Sequence, residues 1–539
     1  MSTPKTTVGE TLVACLERAG VDTVFGIPGV HTIELYRGLA SSRIRHVTPR
    51  HEQGAAFMAD GYARVTGRPG VCLLITGPGL TNAITAMAQA RADSVPMLVI
   101  TGVNATASLG KQRGHLHELP DQSALARTVA LWSHTLADPG QLTAVLAEAF
   151  ARMLGGRPGP VHIEIPLDVM AMPASADGFS LPRIEPPAIA ADAVAAAANI
   201  CRAAQSPLIL AGGGTARSGD AIRRLAERLG APVVTTTNAR GLMHGHALDV
   251  PASPSLKAIR ELITGSDCVV ALGTEFGPTD YDMYEDGGFV TPVTLIRADI
   301  DEGQLERGPN TRAAVHADAG AFAVALCDAL EGHPPANGGA NRAQAACEAA
   351  WQEIGPRYRA HSAFVSRIWE ALPEATIVGD STQGIYAGNI FLDAPRPGAW
   401  FNSSTGFGTL GYGAPAAVGA ALGRPGKPVV CLAGDGGLQF TLAELGSAKD
   451  CNADVAFIVW NNDGYGEIEE SMVRAGIEPV GVRPSAPDFC AVAQAYGLPA
   501  RRADTAEAAI AALTELPRPC LIECDGRQDD RFFRATPEM

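Results

Sequence analysis

Short apolar runs that end in glycine or proline recur along the chain and alternate with helical stretches. In the first block the runs are "VDTVFGIPG", "GVCLLITGPG", "PMLVITG" and "GPVHIEIPLD", and helix-forming sequence occupies residues 8–20, 52–66 and 80–92. Strand, tight turn and helix, repeated in this order, build parallel sheets that carry helices on both faces. The pattern therefore predicts an α/β fold made of doubly wound parallel sheets.

Two further blocks repeat this alternation, and polar segments separate the three. The second block contains "PLILAGGG", "CVVALGTEF" and "PVTLIRADID", and the third contains "TIVGDS", "PVVCLAGDGG", "VAFIVWNNDG" and "PCLIECDG". The linkers are residues 172–189, which are rich in proline, and 332–344. We therefore expect three domains, with the first and third alike, at residues 1–172, 189–333 and 346–539.

Composition excludes several classes of partner. The net charge of −15 makes nucleic acid and anionic membrane poor partners. No uninterrupted apolar stretch reaches the length of about 18 residues that a transmembrane helix needs. The first residues lack a signal-peptide pattern. The 11 cysteines form no CxxC pair, which favours reduced thiols in a cytoplasmic protein. Gly212-Gly213-Gly214 does not fit G-x-G-x-x-G, so we interpret it as a structural turn.

Two polar motifs in the third block follow predicted strands directly. "GDGG" comes after "PVVCLA", and "NND" comes after "VAFIVW", which places Asp435 and Asn462 27 positions apart. That spacing accommodates a strand-helix-strand unit, and ligands of open α/β sheets bind at the carboxyl ends of strands. Carboxylate and amide oxygens suit Mg²⁺, and a helix expected from about Leu438 would direct its N–H groups at a phosphate. The motifs predict a metal–diphosphate site.

These motifs resemble those of thiamine diphosphate (ThDP) enzymes. "GDGG…NNDGYG" resembles the diphosphate-binding motif, "GTLGYGAPAAVGAAL" resembles the segment that precedes it in the acetolactate synthase and pyruvate decarboxylase group, and "RHEQGAAFMADGYAR" resembles that group's cofactor-activating glutamate motif. The resemblance covers almost the whole chain. It implies a pyrimidine-binding domain, a central Rossmann-like domain and a diphosphate-binding domain, in that order.

The resemblance also implies roles for residues of the third block. Asp435 and Asn462 would hold Mg²⁺ by their side chains, and Gly464 would hold it by its carbonyl oxygen. Leu410 would lie beneath the cofactor and bend it, while the Gly408 carbonyl and the Leu410 N–H would bind the aminopyrimidine. Diphosphate contacts would come from Gly436, Gly437, Ser381, Thr382 and Gln383.

Glu52, at the start of a predicted helix, has two possible roles. On the residues alone it could complement the helix dipole or take part in chemistry. The resemblance implies that Glu52 corresponds to the family's glutamate that binds pyrimidine N1′ of the cofactor and stabilises its imino tautomer. In that family the glutamate reaches a cofactor bound by another subunit, which implies a homodimer or homotetramer with active sites at the subunit interface.

Some features depart from acetolactate synthases. "GHLHELPDQ" carries His115 and His117 where a Gln-Glu pair is usual, and "GTEFGPTDY" replaces a basic flavin-binding sequence, so FAD is not expected. Three carboxylates, Glu467, Glu469 and Glu470, follow the metal motif. They form either a solvated helix face or a site for a cationic substrate tail, for which a guanidinium is well suited.

Within the group, the first block and "HLHELPDQ" most resemble decarboxylases of 5-guanidino-2-oxopentanoate (2-ketoarginine), enzymes of arginine catabolism. That resemblance implies a small-molecule 2-oxo acid substrate, and 4-guanidinobutanal and CO₂ as products. His115 and His117 are then candidates for proton transfer, with His31 as a further one. Val30, His31, Glu467 and Glu469 are candidate substrate contacts. An acetolactate synthase-like carboligase is the alternative, and a non-catalytic ThDP-binding protein is a third possibility.

Overall fold

Three parallel six-stranded sheets form the framework of the protein. The computed structural model describes residues 6–283, 286–527 and 529–533. Within each sheet all neighbouring strands run parallel, and helices cover both faces. This confirms the predicted fold class. Among the described residues, no helix combines the length and apolar character needed to cross a membrane.

The first sheet has the strand order β2-β1-β3-β4-β6-β5. Its central strands are buried along their whole length because helices pack on both sides. The strands are β1 Thr23–Phe25, β2 Arg45–Val47, β3 Gly70–Leu74, β4 Met97–Val103, β5 Trp132–Thr135 and β6 Pro160–Pro166. The helices are α1 Val8–Arg18, α2 Ile33–Ala40, α3 Glu52–Thr66, α4 Pro78–Ala92, α5 Gln122–Arg127, α6 Leu142–Leu154 and α7 Leu167–Met170, with 3-10 turns at Val30–Thr32, Thr106–Ser108 and Pro139–Gln141.

The second sheet has the order β12-β11-β10-β7-β8-β9, which is the Rossmann order. Gly212 and Gly214 pack against Gly273 at the ends of its central strands. The strands are β7 Pro207–Ala211, β8 Val233–Thr235, β9 Asp249–Val250, β10 Cys268–Leu272, β11 Leu295–Asp299 and β12 Ala313–His316. The helices are α8 Ala191–Ala203, α9 Gly219–Leu229, α10 Lys257–Thr264, α11 Pro278–Tyr281, α12 Glu302–Leu305, α13 Ala319–Ala329 and α14 Gly339–Glu353, with 3-10 turns at Gly213–Thr215 and Thr237–Ala239.

The third sheet has the order β14-β13-β15-β16-β18-β17 and therefore repeats the topology of the first. Its strands are β13 Thr376–Gly379, β14 Trp400–Asn402, β15 Val429–Gly434, β16 Val455–Asn461, β17 Ala500–Ala503 and β18 Cys520–Asp525. Its helices are α15 Gly355–Ala371, α16 Gln383–Ile390, α17 Gly413–Gly423, α18 Asp435–Gln439, α19 Glu444–Cys451, α20 Gly466–Arg474, α21 Phe489–Ala495, α22 Ala506–Glu515 and α23 Asp529–Phe532.

Two helices begin earlier than the sequence predicts. The helix after "GDGG" starts at Asp435 itself, not near Leu438, so the carboxylate lies on its first turn. The expected linker 332–344 contains the first residues of α14, which starts at Gly339. Ala343, Ala346 and Ala350 of α14 are buried against the central block, and this packing stabilises a helix in a segment whose Gly and Pro content indicates a loop.

The first and third blocks share one hydrophobic core through α3 and α17. Both helices consist largely of small residues, which lets their backbones touch. A Cβ atom on Gly61 would lie 2.0 Å from the Ala416 carbonyl oxygen, and one on Gly419 would lie 1.9 Å from the Met58 carbonyl oxygen. The run of small residues after Glu52 is thus explained by close packing against the third block.

Candidate active site

The candidate metal ligands lie where the strand order of the third sheet reverses. β13 and β15 are neighbours there although β14 separates them along the chain, and ligands of doubly wound folds bind outside such a point. β15 ends at Gly434, directly before Asp435. β16 ends at Asn461, directly before Asn462. The topology therefore places both predicted side chains at the same edge of the sheet.

Three oxygen atoms converge at this edge. Asn462 turns its Oδ1 toward Asp435 Oδ1, 3.0 Å away, and toward the carbonyl oxygen of Gly464, 2.8 Å away. Its amide nitrogen faces Nε2 of Gln383 at 3.1 Å. With no cation, the reversed amide would be favoured because it donates to both oxygens. A cation bound between the three oxygens would favour the orientation in which Asn462 Oδ1 points toward the other two.

The spacing of these oxygens fits Mg²⁺. Octahedral Mg²⁺ binds oxygen at about 2.0–2.1 Å, so adjacent ligand oxygens lie about 2.9 Å apart. Asp435 is buried, and its Oδ2 has no hydrogen-bond partner among the described residues. Burial raises the pKa of this carboxyl, and backbone N–H groups, that of Asn462 first, lower it. A divalent cation would compensate the desolvated charge.

Three glycines leave room around the metal ligands. A Cβ on Gly436 would come within 2.5 Å of the Tyr465 ring, and one on Gly437 within 3.1 Å of the Asp380 carboxyl. Gly464 has φ +146°, and its Cβ would lie 2.3 Å from the Val482 carbonyl oxygen. At position 464 the turn itself requires glycine, since other residues rarely adopt that conformation.

Asp380 is a residue that the sequence analysis overlooked. It lies between β13 and α16, is fully buried, and its Oδ2 accepts from the N–H groups of Gly411, at 2.9 Å, and Gly413, at 3.2 Å. Burial raises its pKa to about 6 against the effect of the backbone N–H groups it accepts. It stands directly before the Ser381-Thr382-Gln383 segment, so its position after a strand is the signal that could have identified it.

Residues 403–412 form a loop between β14 and α17, which we call the 403–412 loop. It contains Gly408, which has φ +72°, and the half-buried Leu410. Ser381 Oγ lies 2.7 Å from Ser404 Oγ, which ties the segment after β13 to this loop. Thr382 directly precedes α16, and Gln383 is the first residue of that helix.

Glu52 is the first residue of α3, and two side chains hold it in place. Asn82 of α4 donates to Glu52 Oε2 at 2.9 Å. Glu444 of the third block is buried and accepts from the backbone N–H groups of Arg50, at 3.0 Å, and His51, at 3.1 Å. Neither partner could be predicted from the sequence, because a contact between residues 30 or about 400 positions apart leaves no local pattern.

The histidines occupy unequal positions. His31 and His117 pack edge to face with ring centroids 5.0 Å apart, and each has a buried Nδ1 that lacks a partner within the described residues. Burial, assisted by His117, lowers the pKa of His31. His115 is exposed, so the structure does not bring it together with the other two. Val30 is also exposed, by 66%.

The three carboxylates of α20, Glu467, Glu469 and Glu470, also occupy unequal positions. Glu469 is paired with Arg483 at 2.6 Å, and Glu470 is paired with Arg357 at 2.8 Å. Glu467 has a buried Oε1 without a partner in the part of the chain that the structure describes. Burial and the nearby Glu470 raise its pKa. The trio is therefore not uniformly solvated, and within the described ranges only Glu467 of the three has no ion pair with an arginine or lysine.

Comparison with protein families matches each of the three blocks. Residues 6–125 match the N-terminal TPP (thiamine pyrophosphate) binding domain of thiamine pyrophosphate enzymes, 194–326 the central domain, and 381–524 the C-terminal TPP binding domain. The chain belongs to the thiamine pyrophosphate enzyme family. Thiamine pyrophosphate is ThDP, so the predicted cofactor class is confirmed, and the enzyme carries the family's three domains in the predicted order.

Relatives of this thiamine pyrophosphate enzyme include a probable decarboxylase and acetolactate synthases. The probable 2-ketoarginine decarboxylase AruI of Pseudomonas aeruginosa is 44% identical over 92% of this chain and 89% of that protein. The acetolactate synthase isozyme 1 large subunit of Escherichia coli is 29% identical over 98% of this chain and 96% of its own. The acetolactate synthase large subunit of Parasynechococcus marenigrum is 30% identical over 99% and 90%.

Replacement of Asp380 by Asn tests the buried carboxyl beneath the 403–412 loop. The pKa of about 6 exceeds the usual value of about 3.9, so the neutral carboxyl stabilises the fold below about pH 4. That stabilisation disappears as the pH rises through 6, by up to about 3 kcal/mol. Asp380→Asn should therefore gain stability relative to wild type between pH 4 and pH 7, measured as the apparent midpoint of thermal unfolding without added cofactor.

Asp177→Asn, at an exposed position, is the control. Its midpoint should follow that of the wild type across the same range. A constant difference between Asp380→Asn and wild type at every pH would show that Asp380 is already ionised at pH 4, contrary to its burial.

Proposed function

We propose that this enzyme decarboxylates 5-guanidino-2-oxopentanoate (2-ketoarginine) with ThDP and Mg²⁺, giving 4-guanidinobutanal and CO₂. The observation that carries the proposal is the 44% identity to the probable 2-ketoarginine decarboxylase, against 29–31% for the acetolactate synthases. The buried Oε1 of Glu467, which has no partner among the described residues, supports it independently, because that atom can accept from a guanidinium.

Asp435, Asn462 and Gly464 would hold Mg²⁺ through the three converging oxygens. Gly436 and Gly437 would lie against the diphosphate, with further contacts from the Ser381-Thr382-Gln383 segment. This assignment is supported by the oxygen spacing and by the contacts that a Cβ atom would make at each glycine.

ThDP, when bound, supplies the electron sink that decarboxylation of a 2-oxo acid requires. The chain's own part is to bind and orient it. Leu410 would support the bent conformation, and Gly408 would accept a hydrogen bond from the aminopyrimidine. The Glu52 carboxylate would hold a proton at pyrimidine N1′, and the Asn82 amide keeps that carboxylate in position.

The two packed histidines are the proposed proton relay to the product carbon. Because burial and His117 lower the pKa of His31, it is neutral near pH 7 and can accept a proton and pass it on. His117 lies against it, whereas the exposed His115 is the weaker candidate of the pair predicted from the sequence. Val30 and Glu469 remain candidate substrate contacts, although Arg483 already engages Glu469.

We further infer that the enzyme is a homodimer or homotetramer that acts in arginine catabolism. Several large apolar side chains that are close in sequence to candidate site residues are exposed in the single chain. A second copy of the chain would cover surface of this kind. They are Val30, Ile33, Leu116, Phe407, Phe440 and Ile468.

Product analysis tests the proposed reaction. With ThDP and Mg²⁺, the enzyme should convert 2-ketoarginine to 4-guanidinobutanal, identified by mass spectrometry, and EDTA should abolish turnover because the diphosphate loses its cation. Pyruvate should give acetolactate at no more than a small fraction of that rate. Efficient acetolactate formation with 2-ketoarginine inert would instead establish the carboligase alternative.

Glu467→Gln should weaken recognition of the guanidinium tail. The amide keeps the size of the side chain but removes the charge that a guanidinium pairs with, so kcat/KM for 2-ketoarginine should fall about 10- to 100-fold. The value for 2-oxopentanoic acid, which lacks the guanidinium, should change little. Steady-state kinetics with both substrates measures the ratio.

Glu470→Gln is the matched control, because its carboxylate already has an arginine partner. It should not change the preference between the two substrates by more than about threefold. An equal loss with both substrates in Glu467→Gln would show that this carboxylate has another role.

A further inference from the structure

The C-terminal end of α4 is a point where all three blocks meet. Asp93, the residue after α4, has a side chain that is only 3% exposed. Its Oδ2 accepts from Arg64 at 2.6 Å, from Gln89 at 2.7 Å and from Thr405 of the third block at 2.8 Å. Asn238 of the central block donates to Oδ1 at 3.5 Å. One carboxylate thus receives a donor from each block.

This junction contains two carboxyl groups but one guanidinium. Arg64 also binds Asp60, whose Oδ1 is 2.7 Å from the guanidinium and whose side chain is fully buried. Two carboxylates therefore share one guanidinium, and neutral donors must satisfy the remaining lone pairs. Thr405 serves Asp93 in this way, and Tyr412 serves Asp60 through its hydroxyl. Loss of a donor leaves charge unpaired in a buried place, so the geometry is tightly constrained.

Both donors from the third block belong to the 403–412 loop. Thr405 lies near its beginning and Tyr412 at its end, so the first block of the same chain holds the loop at two points. A third point lies between them, where the Thr409 N–H donates to Gln89 Oε1 at 3.4 Å. Gly408 and Leu410, the two residues proposed to contact the cofactor, lie on either side of Thr409.

Between its anchors the loop has little support of its own. Residues 406–408 are exposed, and Gly408 and Gly411 adopt left-handed φ angles of +72° and +83°. Such a segment loses conformational entropy when it becomes ordered. If the anchors order it in advance, ThDP binding does not have to supply that free energy.

We propose that Asp93 and Gln89 are positioning residues for the cofactor. They hold the 403–412 loop in its binding conformation, through Thr405 and Thr409, before ThDP arrives. The inference rests on the proposed function, since it takes Gly408 and Leu410 as contacts to ThDP. It extends that function by making the first block of each chain responsible for the cofactor loop of its own third block.

Thr405→Val removes the hydroxyl and keeps the shape of the side chain. Its dissociation constant for ThDP, measured by calorimetry with Mg²⁺ present, should rise about tenfold. At saturating ThDP, kcat should recover, since the bound cofactor then orders the loop. Thr405→Ser keeps the hydroxyl and should restore wild-type affinity.

Thr23→Val is the matched control. Its hydroxyl also donates to a carboxylate, Asp22, at 2.9 Å, but it lies at the start of β1. It should bind ThDP like the wild type. Without cofactor, hydrogen exchange of residues 403–412 should be faster in Thr405→Val than in either Thr23→Val or wild type.

The outcomes separate the two proposals. Equal ThDP affinity and equal loop exchange in Thr405→Val and Thr23→Val would overturn the positioning role and leave the proposed function standing. Failure of the wild type to bind ThDP in the presence of Mg²⁺ would overturn both.

Discussion

The contact between α3 and α17 is the constraint on which the proposed site depends. At Gly61 and Gly419 the two backbones approach so closely that a single Cβ would collide with a carbonyl oxygen of the other helix. α3 begins with Glu52, and α17 follows the 403–412 loop. The packing of these two helices therefore fixes where Glu52 and the end of the 403–412 loop lie within each chain.

Around this contact, buried carboxylates fix the positions of the backbone segments that carry the candidate site residues. Glu444 holds the backbone before Glu52, and Asp380 and Asp93 hold the two ends of the 403–412 loop. Burial of each carboxylate costs free energy, and its hydrogen-bond donors must be in place to offset that cost. Such groups specify position more than they stabilise, which is the property that cofactor binding requires.

Much of this could be predicted from the sequence, because the signals are local. Strand runs with Gly or Pro turns gave the three sheets, and two motifs after strands gave Asp435 and Asn462. Asn82, Asp380, Glu444 and Asp93 were missed, since each acts through a partner distant in sequence or through backbone N–H groups. The early start of α14 was missed because its packing against the central block overrides a local sequence typical of a loop.

The difference between Glu467 and its neighbours shows the same limit. Sequence places three carboxylates within four residues but says nothing about their partners. The structure gives arginines to Glu469 and Glu470 and leaves Glu467 Oε1 without a partner among the described residues. If Glu467 receives the substrate tail as proposed, substrate choice follows from which of the three carboxylates the fold leaves without an arginine partner.

The claim that an active site joins Glu52 of one subunit to Asp435 of another is tested most directly by mixing two inactive variants. Glu52→Gln and Asp435→Ala chains, co-expressed with different affinity tags, form mixed dimers that contain one intact site if sites are shared between subunits. Random pairing should restore about one quarter of wild-type decarboxylation activity. Activity no greater than that of the two separate variants would contradict a shared site and place both residues in a site within one chain.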